Sequence, residues 1–191
     1  MAVLRAWLSG VLGALAVAAG LHAAPAQESV KESASEYDVK AAFLYNFTKF
    51  MEWPATAFHD DRGAMRLCVL GDDPFGSSLR EIAEGEVAGR PLTVWRVSSM
   101  RDPAGCQILF VSRSEKGRLT QILRSVRDAP VLTVGDTQGF LEQGGIVNFV
   151  REGSKVRFEI SQESAERAGI KISSRLLRLA VRVLSSAAPG P

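Results

Sequence analysis

The sequence predicts an α/β fold: a mostly parallel central sheet with a C-terminal antiparallel hairpin and helices on both faces. Three observations lead there. From residue 65 to residue 134 short apolar runs alternate with helical patterns, which favours parallel crossovers within one sheet. Two later runs, 146–150 and 155–160, are separated only by Arg151-Glu152-Gly153-Ser154, a tight turn that folds them into a hairpin. The 191 residues are 46% hydrophobic and 23% charged, an ordinary globular composition with chain enough for one core.

The first 26 residues read as a targeting segment. Arg5 supplies a positive start, residues 8–21 form an uncharged apolar run, and Ala24-Pro25-Ala26 is a small-x-small cleavage pattern, so the mature chain is expected to begin near Gln27. The run is shorter than the ~20 residues of a membrane span, which favours removal over anchoring. Residues 27–35 are polar and expected to be mobile. Residues 36–184 then form a single domain, and 185–191 a loose tail.

Ser35-Glu36-Tyr37-Asp38 has the character of a capping box and predicts a helix from there to Trp53-Pro54. At 100° per residue Val39, Phe43, Leu44, Phe47, Phe50 and Met51 share its apolar face, with Tyr45, Lys49 and Glu52 opposite. Residues 65–70 predict the first strand. Gly71 to Gly76 is a turn, with Asp73 as cap and Pro74 at the first position of a helix to about Ala83. Strands follow at 92–97, 108–112 and 131–134, with a helix capped by Ser114 running through Leu119, Ile122, Leu123 and Val126 before the last of these. After the hairpin, Ser161 caps a short helix ended by Gly169. A final helix from Ser173 or Ser174 carries Leu176, Leu177, Ala180, Val183 and Leu184 on one side.

Composition also limits the chemistry. Twenty-three Lys and Arg against 21 Asp and Glu leave a net charge of +2, too small to mark a nucleic-acid binder. Cleavage would leave His59 as the single histidine, in a polar loop after Trp53-Pro54. With two cysteines beside it there is no His/Cys metal cluster, and no Gly-x-Ser-x-Gly elbow occurs. A protein without enzymatic activity, metal or cofactor is expected. In an oxidising compartment Cys68 and Cys106 read as a disulfide, and a strand order of 2-1-3 sets them side by side.

Several polar groups remain after the core is assigned. Gly71 to Gly76 lies where α/β folds hold phosphate, but its spacing fits no phosphate loop and Asp72 and Asp73 would repel an anion, so it reads as a plain turn. Arg175, Arg178 and Arg182 share a face of the final helix with Lys171 just upstream, either as a solvated surface or as a meeting place for an acidic partner, an anion or lipid headgroups. Gly144-Gly145 permits unusual φ values or close approach at a strand entry. Asn148 beyond it either faces solvent or sits in the core with its amide satisfied.

The blocks Val39-Lys40-Ala41-Ala42-Phe43-Leu44-Tyr45-Asn46-Phe47-Thr48-Lys49-Phe50, Glu52-Trp53-Pro54, Gly144-Gly145-Ile146-Val147-Asn148-Phe149, Val156-Arg157-Phe158-Glu159-Ile160 and Ala168-Gly169-Ile170-Lys171-Ile172-Ser173-Ser174-Arg175-Leu176-Leu177 together resemble the YfiR family of exported proteins. The resemblance runs from about Glu36 to Ala180. It implies a periplasmic α/β domain without catalytic activity. In the family's best-known member such a domain represses a membrane-bound diguanylate cyclase by holding its periplasmic sensor domain, and so controls cyclic di-GMP output and biofilm behaviour. An outer-membrane lipoprotein or a redox change releases it. Some relatives carry a second cysteine pair in the hairpin region; this sequence has none there, which leaves only Cys68 and Cys106 for such control.

The first functional expectation is therefore a periplasmic regulator, monomeric or homodimeric, that docks on the extracytoplasmic domain of a diguanylate cyclase or sensor kinase. Tyr45, Lys49 and Trp53 near the first helix, with Lys171 and Arg175 near the last, are its contact candidates, being aromatic and basic residues left over from the core. The alternative is a small-molecule sensor, with an anionic or aromatic ligand between those two helices, feeding a sensor kinase.

Overall fold

The computed structural model describes residues 25–58, 63–83, 85–87, 89–98 and 105–185, with the side chains described from residue 36 onward. Residues 1–24 of the predicted leader, His59 and residues 186–191 of the predicted tail lie outside these residues. The first helix, α1, runs Pro25–Phe47, so Ser35 lies within it rather than capping it. No glycine or proline interrupts residues 26–47, and Glu, Lys, Gln and Ala there are good helix formers, so the helix propagates through the polar stretch.

The strands and helices that follow are β1 (Met51–Glu52), β2 (Met65–Leu70), α2 (Ser78–Ile82), β3 (Glu86–Val87), β4 (Arg90–Val97), β5 (Ile108–Val111), α3 (Leu119–Ser125), β6 (Leu132–Gly135), β7 (Val147–Glu152), β8 (Lys155–Ser161), α4 (Gln162–Arg167), β9 (Lys171–Ile172), α5 (Ser174–Leu177) and β10 (Arg182–Leu184). Among the described residues the main sheet has the order β10-β8-β7-β6-β5-β2-β4-β3, and β1 pairs with β9 in a separate two-stranded ribbon. Strands β4, β2, β5, β6 and β7 are mutually parallel. The β7–β8 hairpin is antiparallel, as expected.

Strand alternation divides the core into two layers. Leu67, Val69, Ile108, Phe110, Leu132 and Val134 belong to the cluster that Leu44 and Phe47 of α1 close. Cys68, Leu70, Leu109 and Val111 belong to the cluster closed by Leu119, Ile122 and Leu123 of α3. The first three long strands take the order 2-1-3, and a Cys68–Cys106 disulfide spans β2 and the entry to β5 with its Cα atoms 5.9 Å apart.

Several predicted details change. On α1, Val39 is exposed and Lys40 is buried, so the inward face is Lys40, Ala41, Leu44 and Phe47. A rule that sends charges outward cannot place a lysine whose partners come from another part of the chain. Asp73 does not cap α2. Its Oδ1 accepts from the Phe75 amide at 2.8 Å in an Asx turn, Gly76 at φ +59° breaks the path, and the helix starts at Ser78. Ser114 likewise caps nothing: residues 113–118 form a 3₁₀ segment, and Ser114 Oγ accepts from the Asp72 amide at 2.9 Å.

The largest correction concerns the C-terminus, where the final helix is a single turn, α5, capped by Ser173. The chain then extends into β10, which pairs parallel with β8 at Arg182↔Glu159. Val181 and Val183 favour extended backbone, and pairing here supplies partners for the backbone polar groups on the open side of β8. Arg175, Arg178 and Arg182 therefore do not share a helix face.

Gly144 and Gly145 do what paired glycines can do at a strand entry. Gly144 has φ +101°, and the ring of Phe140 lies so close to Gly145 and Gly135 that a Cβ at either position would overlap it. Phe140 is fully buried in the second core layer. Gly145→Ala is expected to lower stability by roughly 1–3 kcal/mol through overpacking, which a denaturant titration reads directly; an unchanged midpoint would show that the ring can move aside.

Candidate functional site

The five predicted contact residues gather around the C-terminal end of α1. Tyr45 is half-buried, donates to the Glu86 carbonyl at 3.3 Å, and carries the Lys49 ammonium 4.3 Å above its ring. On the other side of residues 48–50, the β1–β9 ribbon sets Lys171 opposite Glu52. There Arg175 lies 5.7 Å from the ring of Phe50. Lys49, Lys171 and Arg175 are exposed. Where the alternative expectation puts a ligand between two helices, α5 is one turn long and Arg175 stacks on Phe50.

Trp53 is placed by a hub that sequence patterns did not reveal. Its indole Nε1 donates to the Gln107 carbonyl at 3.1 Å. Gln107 is buried next to Cys106, and its side chain accepts from the Arg66 amide at 2.8 Å and donates to the Ala57 carbonyl at 2.6 Å. A buried glutamine has to satisfy both ends of its amide, and here it joins the 55–57 turn, β2 and Trp53. The disulfide holds the adjacent residue, so the bridge also steadies the base of the aromatic patch.

A second constellation lies at the opposite edge of the sheet, where the parallel strands end. Lys40 is 1% exposed, and its ammonium meets Asp136 Oδ2 at 2.6 Å and Glu36 Oε1 at 2.5 Å. Asp136 immediately follows β6, so it caps the carboxyl end of a buried strand. Tyr37 donates to the same Oδ2 at 2.8 Å. Burial, and next the negative charge of Asp136, pushes the Tyr37 phenol well above its ordinary range, so it stays protonated as a donor. Arg113 approaches Asp136 Oδ1 at 3.2 Å, and Arg151 meets Glu36 at 3.3 Å. The sequence held one clue, the i,i+4 spacing of Glu36 and Lys40; nothing in it announced Asp136.

Beside this network opens a cleft of about 610 Å³. Its far wall carries Glu142, Glu159 and Arg182. Arg182 reaches Glu159 at 2.7 Å and Glu142 at 2.9 Å. Hydrogen bonds to Glu159 first, then Glu142, hold the guanidinium firmly protonated. A bond from its own backbone amide, and then Arg182, holds Glu142 below the usual carboxylate range. Asn148 lies between the walls, 3% exposed. It is therefore a buried residue, and its Nδ2 donates to Glu159 Oε1 at 2.9 Å. Its Oδ1 accepts no hydrogen bond from the protein.

Two solved structures are similar to part of this chain. One is an ABC domain from Streptococcus pneumonia in complex with L-Trp, with 14% identity over 63% of this chain and 55% of that one, at a TM-score of 0.48. The other is a conserved domain protein from Vibrio cholerae O1 biovar eltor, with 13% identity over 62% and 54% of the two chains, at a TM-score of 0.46. The chain thus spans about half the length of each. The YfiR/HmsC-like family profile matches residues 37–181. The chain belongs to this family. The matched region starts in α1 at Tyr37 and ends just before β10, so it takes in the cationic patch, the disulfide and nearly all of the cleft.

YfiR/HmsC-like membership implies a periplasmic regulator of diguanylate cyclase signalling, in a family that is regulatory rather than catalytic. Among the described residues of this YfiR/HmsC-like chain, no helix is long and apolar enough to cross a membrane.

Proposed function

We propose that this YfiR/HmsC-like domain is a non-enzymatic periplasmic regulator that binds the extracytoplasmic sensor domain of a membrane-bound diguanylate cyclase and represses it. Cyclic di-GMP output falls while the contact holds. The observation that carries the reading is the family match over residues 37–181. The patch of Tyr45, Lys49, Trp53, Lys171 and Arg175 supports a docking role, because Lys49 and Arg175 rest on aromatic rings and, among the described residues, no salt bridge occupies these cations or Lys171. Such cations suit an acidic partner surface. Repression then requires tighter binding to the inactive than to the active conformation of the cyclase, since only differential affinity moves an equilibrium.

Crosslinking of the purified protein to membranes, followed by identification of the captured protein, tests this. A membrane protein with an extracytoplasmic domain and a cyclase domain is the expected catch. The triple variant Lys49→Ala, Lys171→Ala, Arg175→Ala should retain its melting temperature and lose affinity for that domain by about tenfold or more. Undiminished capture by the triple variant would remove the patch from the interface. Turnover of a substrate by the purified protein would overturn the regulatory reading itself.

A further inference from the structure

We propose that the cleft between Asp136 and Arg182 is a binding site for a neutral polyhydroxylated ligand, of the size of a mono- or disaccharide. The site lies at the carboxyl edge of the sheet, across the domain from the cationic patch, and does not depend on what docks there. Its volume of about 610 Å³ falls within the range of small-molecule sites.

Asn148 supplies the decisive observation. Glu159 only accepts, so it must receive a proton from Asn148 Nδ2, and this fixes the amide with Oδ1 turned away from Glu159. That oxygen is buried with no donor from the protein, in a residue that lines the cleft. Asp136 Oδ1, also buried, has Arg113 Nε at 3.2 Å as its ion-pair partner, while that Nε–H donates to the Asp136 carbonyl, so Asn148 Oδ1 is the acceptor on this wall without any partner among the described residues. Leaving such groups unmade is unfavourable, so the wall calls for donors on a ligand.

Charge selects the class of ligand. Among the described residues lining the cleft, three are guanidinium bearers (Arg113, Arg151, Arg182) and three are carboxylates (Asp136, Glu142, Glu159). They are already paired with one another or with Glu36. An ion of either sign would meet an equal opposing charge and would have to compete with pairs already formed. A hydroxyl does not. It donates to the unpartnered Asn148 amide oxygen, accepts from guanidinium N–H groups at the rim, and leaves every ion pair in place. A ring of vicinal hydroxyls matches planar carboxylate, amide and guanidinium groups spaced around a cleft.

The test is calorimetric titration of the purified protein with glucose, galactose, mannose, N-acetylglucosamine, maltose and trehalose, beside glycine, glutamate and acetate as charged probes. At least one neutral sugar is expected to bind saturably, with an affinity nearly unaffected by added salt. Asn148→Leu should weaken it by roughly tenfold. Glu142→Ala, at the solvent-exposed rim, is a second variant that tests the same wall if Asn148→Leu does not fold, and should weaken binding about fivefold. Binding by none of the sugars, binding by the charged probes alone, or sugar affinity unchanged in both variants would overturn the proposal.

Discussion

Asp136→Ala is expected to destabilise the domain by about 3 kcal/mol, because it withdraws one carboxylate from a lysine that has no access to water. Lys40 and Asp136 have side chains 2% and 1% exposed, and their contact is 2.6 Å. Truncating the acid leaves the ammonium dependent on Glu36 alone and leaves the Tyr37 hydroxyl without its acceptor. For a domain of this size the change should lower the melting temperature by roughly 6–12 °C. Lys40→Met made together with Asp136→Leu should cost less than the two single changes added, since replacing both charges by apolar groups removes the need for pairing. A loss under about 1 kcal/mol for Asp136→Ala would mean that water reaches Lys40 and that the pair contributes like a surface one.

Removing the bridge is the second large effect. Cys68→Ala with Cys106→Ala opens a cross-link between residues 38 apart, worth about 4 kcal/mol in the chain-entropy model and typically 2–4 kcal/mol when measured. Both cysteines are buried, so the native protein should react slowly with a mild reductant. Gln107 adjoins Cys106 and accepts from Trp53. The double variant should therefore also change the Trp53 environment, visible as a shift in tryptophan fluorescence at temperatures where the domain is still folded. Stability within about 1 kcal/mol of the wild type would show that the strands alone hold this corner.

The parallel sheet and the hairpin are legible because each depends on short-range patterns, and the disulfide because Cys68 and Cys106 are the two cysteines of the sequence. Met65 to Leu70 is an apolar run ended by glycine, and Val156, Phe158 and Ile160 alternate with charged residues. The α5–β10 segment departs from the expected helix because Leu176, Leu177, Ala180, Val183 and Leu184 fit a helical period, while the open edge of β8, which pairs with Arg182 to Leu184, decides the outcome. Lys40 shows the same limit. Its spacing from Glu36 was visible, but its burial follows from Asp136, and no local pattern joins residues 96 positions apart. Leftover aromatic and basic residues are visible by elimination, and that alone names the contact candidates. The cleft is not, since its walls come from the segment after β6 and from β7, β8 and β10 at once.

The fastening of α1 has a consequence for biogenesis. Its inward polar groups, Tyr37 and Lys40, both meet Asp136, and Phe43 and Phe47 pack against the rings of Phe149 and Phe158. A nascent chain that has not yet reached the hairpin offers the helix none of these ring partners, so its apolar stripe remains available to a chaperone. Docking of α1 onto the sheet is therefore expected to wait until the hairpin has been made, as long-range contacts generally form late.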